Sequence, residues 1–148
     1  MRIDSTGRDF IYKHEGVRLK AYLDVVGVPT IGCGMTFYPG GKKVKMGDSI
    51  SLTQCDTMFT AVVADFEKAV NAAIKATINQ NQFNALVSLA YNIGTAGFAK
   101  STLVKRINAG ASPELITAAF AMWNKAGGKV NKILTNRRTD EAKLYYKS

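Results

Sequence analysis

Between Gly27 and Gly47, six glycines and Pro39 cut the chain into short apolar pieces; from about residue 52 onward, apolar residues recur at helical spacing instead. Short pieces bounded by glycine make strands and turns, whereas an apolar stripe with a period near 3.6 makes helices that bury one face. A chain that changes period once, early, is confined to an α+β architecture with its strands segregated near the N-terminus.

The first helix is expected over residues 5–15, with Phe10, Ile11 and His14 at helical spacing and Gly16 as its stop. Residues 19–23 and 28–33 read as two strands around a turn at 24–27, and a third short strand is expected near 43–46. Ser51 with Gln54 forms a capping-box pattern. Met58, Phe59, Val62, Val63, Phe66 and Val70 then predict one long helix over about 52–77. Asn79 with Gln82 starts another helix, which Gly94 stops. A short helix is expected over 102–109. The next begins at Ser112–Pro113 and closes at Gly127–Gly128, and a last one covers about 136–146. The 148 residues thus predict a single domain. A small lobe of about 14–50 carries a hairpin or three-stranded sheet, a long helix of about 52–77 joins the lobes, and a helical lobe of about 79–148 includes the N-terminal helix. A cleft between such lobes is a common ligand site.

At 47% apolar and 21% charged, the chain can bury a core. Its apolar runs fall short of the roughly 20 residues that span a bilayer. The N-terminus carries Asp4 and Asp9 and has no apolar core segment, so neither a signal peptide nor an anchor is expected. Net charge is +9, and residues 101–148 hold 9 basic against 3 acidic side chains. Such an excess calls for an anionic partner: nucleic acid, a membrane surface or a polyanionic wall polymer. Two cysteines, Cys33 and Cys55, are too few for a disulfide framework, and no cysteine–histidine cluster suggests a metal. His14 is the only histidine, and no nucleophile motif accompanies it.

Within the first thirty residues lie Glu15, Asp24 and Thr30. Hydrolysis of a glycosidic bond needs two carboxyl groups in different surroundings. Glu15 ends a helix, where the backbone carbonyls disfavour a further negative charge and so favour a retained proton. Asp24 sits at a turn open to water, and Thr30 follows it across that turn. A carboxylate and a hydroxyl can hold one water in line for attack, as an inverting hydrolase requires. The spacing alone is compatible with ordinary surface charge.

The stretch from Glu15 to Gly32, E-G-x-R-L-x-A-Y-x-D-x-x-G-x-P-T-I-G, resembles the signature of the phage-type lysozymes, glycoside hydrolase family 24. The resemblance continues through NQNQFNALVSLAYNIG (79–94), GFAKSTLVKRINAG (97–110), FAMWNKAGG (120–128) and LTNRRTDEAKLY (134–145). It implies a lysozyme-like fold and an enzyme that cuts the β-1,4 bond between N-acetylmuramic acid and N-acetylglucosamine in peptidoglycan. Glu15 would be the general acid, Asp24 the residue directing water, and Thr30 its helper. It further implies an arginine near the start of the last helix paired with the glutamate, for which Arg137 is the choice and Arg138 the alternative. Tyr91, Asn92 and Phe98 would line the saccharide cleft, with core packing the competing role for Tyr91 and Phe98. No metal or organic cofactor is implied, and a monomer is expected. Where the family commonly has histidine, this chain has Met35.

Without a leader segment, the resemblance implies an enzyme held in the host cytoplasm until a separate holin opens the inner membrane to the wall. A competing reading is a cationic membrane-active protein working through a basic amphipathic C-terminal segment that touches the anionic outer membrane. Nucleic-acid binding ranks last, since no recognition motif accompanies the charge.

Overall fold

The computed structural model describes residues 1–148. The chain divides into two compact units: residues 9–64, and residues 65–148 together with 1–8.

In the first unit, α1 (Ser5–Glu15) ends where Gly16, at φ 80°, donates its N–H to the Tyr12 carbonyl. β1 (Arg18–Leu23) and β2 (Pro29–Gly32) follow as an antiparallel pair, with Tyr22 opposite Thr30 and Leu23 opposite Pro29. The expected third strand does not form. Phe37–Lys43 and Lys20–Ser49 are single bridges, because the Asp48 carboxylate takes the Lys45 N–H and turns the chain before a ladder can grow. Ile11, Ile31, Cys33, Met35, Val44, Cys55, Phe59 and Val63 are buried. Met35 occupies core space here: its methyl group lies 2.7 Å from where a Cβ on Gly32 would stand.

α2 (Leu52–Ala73) begins at the Ser51–Gln54 capping box and crosses from residues 9–64 into residues 65–148. It stops four residues before the expected 77. Asn108 takes the Lys75 N–H at 2.7 Å and donates to the Ala73 carbonyl at 2.9 Å, which ends the helix from a distant point of the chain.

The second unit is helical. α3 (Gln80–Ile93) has a complete capping box at Asn79 and Gln82. It is followed by α4 (Thr95–Ala99), which the sequence reading missed, α5 (Thr102–Asn108) and α6 (Pro113–Ala121). α6 ends before Gly127–Gly128. Those glycines, at φ 59° and 79°, instead make the turn of a small hairpin, β3 (Lys125–Ala126) and β4 (Lys129–Val130). α7 (Lys132–Tyr145) starts four residues before the expected 136, because Asn131 caps it by accepting the Leu134 N–H. Phe83, Leu86, Leu89, Phe98, Leu103 and Phe120 lie fully buried in this unit.

Candidate functional site

Glu15 is half-buried and is the last residue of α1. The β1–β2 hairpin carries the other two residues of the expected constellation, Asp24 just past the end of β1 and Thr30 on β2. Asp24 Oδ1 accepts two main-chain N–H groups, from Val26 at 2.9 Å and Val28 at 2.8 Å. This Asx turn fixes the carboxylate plane through Oδ1 and leaves Oδ2 outside these bonds. Thr30 is buried, and its hydroxyl donates to the Val28 carbonyl at 2.9 Å. The same carbonyl accepts the Asp24 N–H at 3.0 Å. Beside them, the Arg18 guanidinium lies 4.3 Å from the Tyr22 ring centre.

In the helical unit a buried ionic cluster joins α3 and α7. Glu141, wholly enclosed, meets Arg138 Nε at 2.9 Å and Arg137 Nε at 3.3 Å, and accepts the Ser88 hydroxyl at 2.6 Å. Burial pushes its carboxyl up from the usual range, while the two guanidinium groups and the Ser88 hydroxyl pull it back. Arg137 also donates to the Ser88 carbonyl at 3.2 Å. Arg138 Nη2 donates to Asn92 Oδ1 at 2.7 Å. That bond settles the Asn92 amide: its oxygen faces Arg138, and its NH2 is left to donate. Asn92 is exposed and lines an open cavity of about 460 Å³ with Ile93, Met122, Trp123, Lys125 and Leu134. Tyr91 is half-buried, its ring 5.1 Å from that of Phe66.

Phe98 departs from expectation. It is 0% exposed, so its ring has no face open to stack on a sugar, and it serves the core instead. The sequence reading also missed the Ser88–Glu141 contact and Lys125 in the cavity wall. The four-residue spacing of Arg137 and Glu141 on one helix was the available signal for the cluster.

No group of three or more histidine, cysteine, aspartate or glutamate side chains is placed to hold a metal ion. No helix is long and apolar enough to cross a membrane.

With a short hairpin after its first helix and a mostly helical remainder, the chain has a lysozyme-like fold, matching solved phage lysozymes. Residues 12–141 match the model of the phage lysozyme family, and the chain belongs to that family. It is 36% identical to the endolysin of Salmonella phage P22, over 96% of this chain and 97% of that one. It is 39% identical to the endolysin of Bacillus phage PZA, covering 98% of this chain but only 55% of the relative's length. Among solved structures, the endolysin from Escherichia coli O157:H7 phage FAHEc1 superposes with a TM-score of 0.92 at 42% identity, covering 99% of this chain and 94% of that one.

Proposed function

We propose that this protein is an endolysin of the muramidase type, which hydrolyses the β-1,4 bond between N-acetylmuramic acid and N-acetylglucosamine of peptidoglycan. The observation that carries the reading is the hairpin that holds the Asp24 carboxylate and the Thr30 hydroxyl through the N–H and the carbonyl of one residue, Val28. Glu15 gives its proton to the departing sugar oxygen. Asp24 accepts a proton from the attacking water, with Thr30 as the second holder of that water. The new hydroxyl forms on the face opposite the leaving group, so the configuration inverts. Asn92, with its free NH2, suits the carbonyl of an N-acetyl group, and Tyr91 offers a partly open ring beside it. Arg137, with Arg138 as the alternative, is assigned to support of Glu15.

Release into the wall through a holin, with residence in the host cytoplasm beforehand, belongs to the same reading. The membrane-active alternative is not favoured. Arg137, Arg138, Ala142, Leu144 and Tyr145 are buried, so α7 turns much of its apolar and basic surface into the protein.

The test is reducing-end release from purified peptidoglycan by wild type and by Glu15→Gln, matched by circular dichroism. Wild type should release reducing ends, and the variant should lose about a hundred- to ten-thousand-fold in rate. Proton NMR of the first product should show the α-anomer. Equal release by both proteins would remove Glu15 from the role of acid.

A further inference from the structure

We infer that Val28, through its main chain alone, is the positioning residue of the hydrolytic water; this rests on the reading of Asp24 and Thr30 given above. Its N–H donates to Asp24 Oδ1 at 2.8 Å, and its carbonyl accepts the Thr30 hydroxyl at 2.9 Å and the Asp24 N–H at 3.0 Å. The N–H and the carbonyl of one residue, on the two peptide units that flank its Cα, therefore grip both side chains that would hold the water. Val28 is 40% exposed, and its bonds to Asp24 and Thr30 are all made by backbone groups.

The direction of the Thr30 bond decides what the hydroxyl can do. A threonine hydroxyl has one proton and two lone pairs. With the proton engaged by the Val28 carbonyl, only lone pairs remain, and Thr30 faces water as an acceptor. Asp24 Oδ2 is an acceptor too. A water between them must direct one proton to each, which turns its own lone pair toward the anomeric carbon. A hydroxyl free to rotate could donate to that water and occupy the lone pair that attacks.

In the step itself, the water oxygen bonds to the anomeric carbon and the bond from that carbon to the departing oxygen breaks. The departing oxygen takes the Glu15 proton. One water proton passes to Asp24 Oδ2, and the other stays on the new hydroxyl, hydrogen-bonded to Thr30. Exchange with bulk water then returns a proton to Glu15 and removes the one on Asp24.

The experiment replaces single main-chain groups in the full-length protein. An amide-to-ester exchange at Val28 (2-hydroxy-3-methylbutanoic acid in its place) deletes the N–H and keeps the side chain. Loss of a donor to the ionised carboxylate should move the acid limb of the kcat/KM profile on peptidoglycan to higher pH, by about half to one unit. The same exchange at Val25, whose N–H makes no bond to the Asp24 carboxylate, should leave the limb in place. Circular dichroism across the same pH range should show the ester folded through the limb, which separates the shift from acid unfolding. Separately, lactic acid at position 29 turns the Val28 carbonyl into an ester carbonyl, a poorer acceptor. It should lower kcat several-fold against Pro29→Ala, with KM unchanged. Wild type that cleaves, with an unmoved limb in the Val28 ester or equal kcat in the position-29 pair, overturns the role of Val28 alone. Wild type that releases no reducing ends overturns the reading of the site on which that role rests.

Discussion

Phe98 shows how one residue's surroundings decide between two functions that its chemistry permits. An aromatic ring can platform a sugar or fill a core, and only exposure separates the two. Full burial puts Phe98 in the second role. Phe98→Leu should therefore destabilise the protein by about 1–2 kcal/mol, read as a lower midpoint in urea. The folded fraction should keep the wild-type KM for peptidoglycan; a raised KM at full folding would return the ring to the substrate. Glu15, Asp24 and Thr30 were legible as candidates because their chemistry resides in side chains at fixed spacing. Val28 was not legible, because its part is played by groups that every non-proline residue carries. The Asn92 amide was legible only as a donor-acceptor; its orientation depends on Arg138, 46 residues away.

At the scale of the element, the loop after the hairpin is held by charge where a strand was expected. Asp48 accepts the Tyr38 hydroxyl at 2.7 Å and the Lys45 N–H at 2.9 Å, and its carbonyl takes the Ala21 N–H of β1. The Tyr38 bond first, then the Lys45 N–H, holds the Asp48 carboxyl below its ordinary value of 3.8, while Tyr38 is pushed up to about 12 chiefly by burial. A carboxyl lowered in the folded state contributes stability that is present above pH 3.8 and is lost as pH falls through the folded value. Tyr38 has the opposite sense: its contribution is present below pH 10 and is lost as pH rises through about 12. Asp48→Asn should lower Tm at pH 6 and flatten the fall of Tm below pH 4. An unchanged acid slope would mean that other carboxyls govern it. Local signals did find α1, the capping boxes and both strands of the first hairpin. They failed where a remote group intervenes, as Asn108 does at the end of α2, and where Gly127–Gly128 could be read as a helix stop or as a hairpin turn.

For the whole molecule, the charge excess is distributed by unit. Residues 1–8 and 65–148 carry 14 basic and 6 acidic side chains, whereas residues 9–64 carry 6 and 5. The proposed acid and base thus lie in the nearly balanced part, and the positive field comes from the other. A field of that kind raises the local concentration of an anionic polymer without taking part in bond cleavage. It should act on KM and leave kcat alone. At about 0.15 M salt the screening length is about 8 Å, so added salt should raise KM for intact, anionic peptidoglycan while kcat stays level. A neutral, soluble saccharide substrate should show little salt effect on either constant. Replacing the exposed Lys129, Lys132 and Lys143 by glutamine should flatten the salt dependence on peptidoglycan and raise KM at low salt, with the fold unchanged. If kcat fell with salt in parallel on both substrates, the ions would be acting on the catalytic carboxyls, and the basic surface would have no part in capturing the wall.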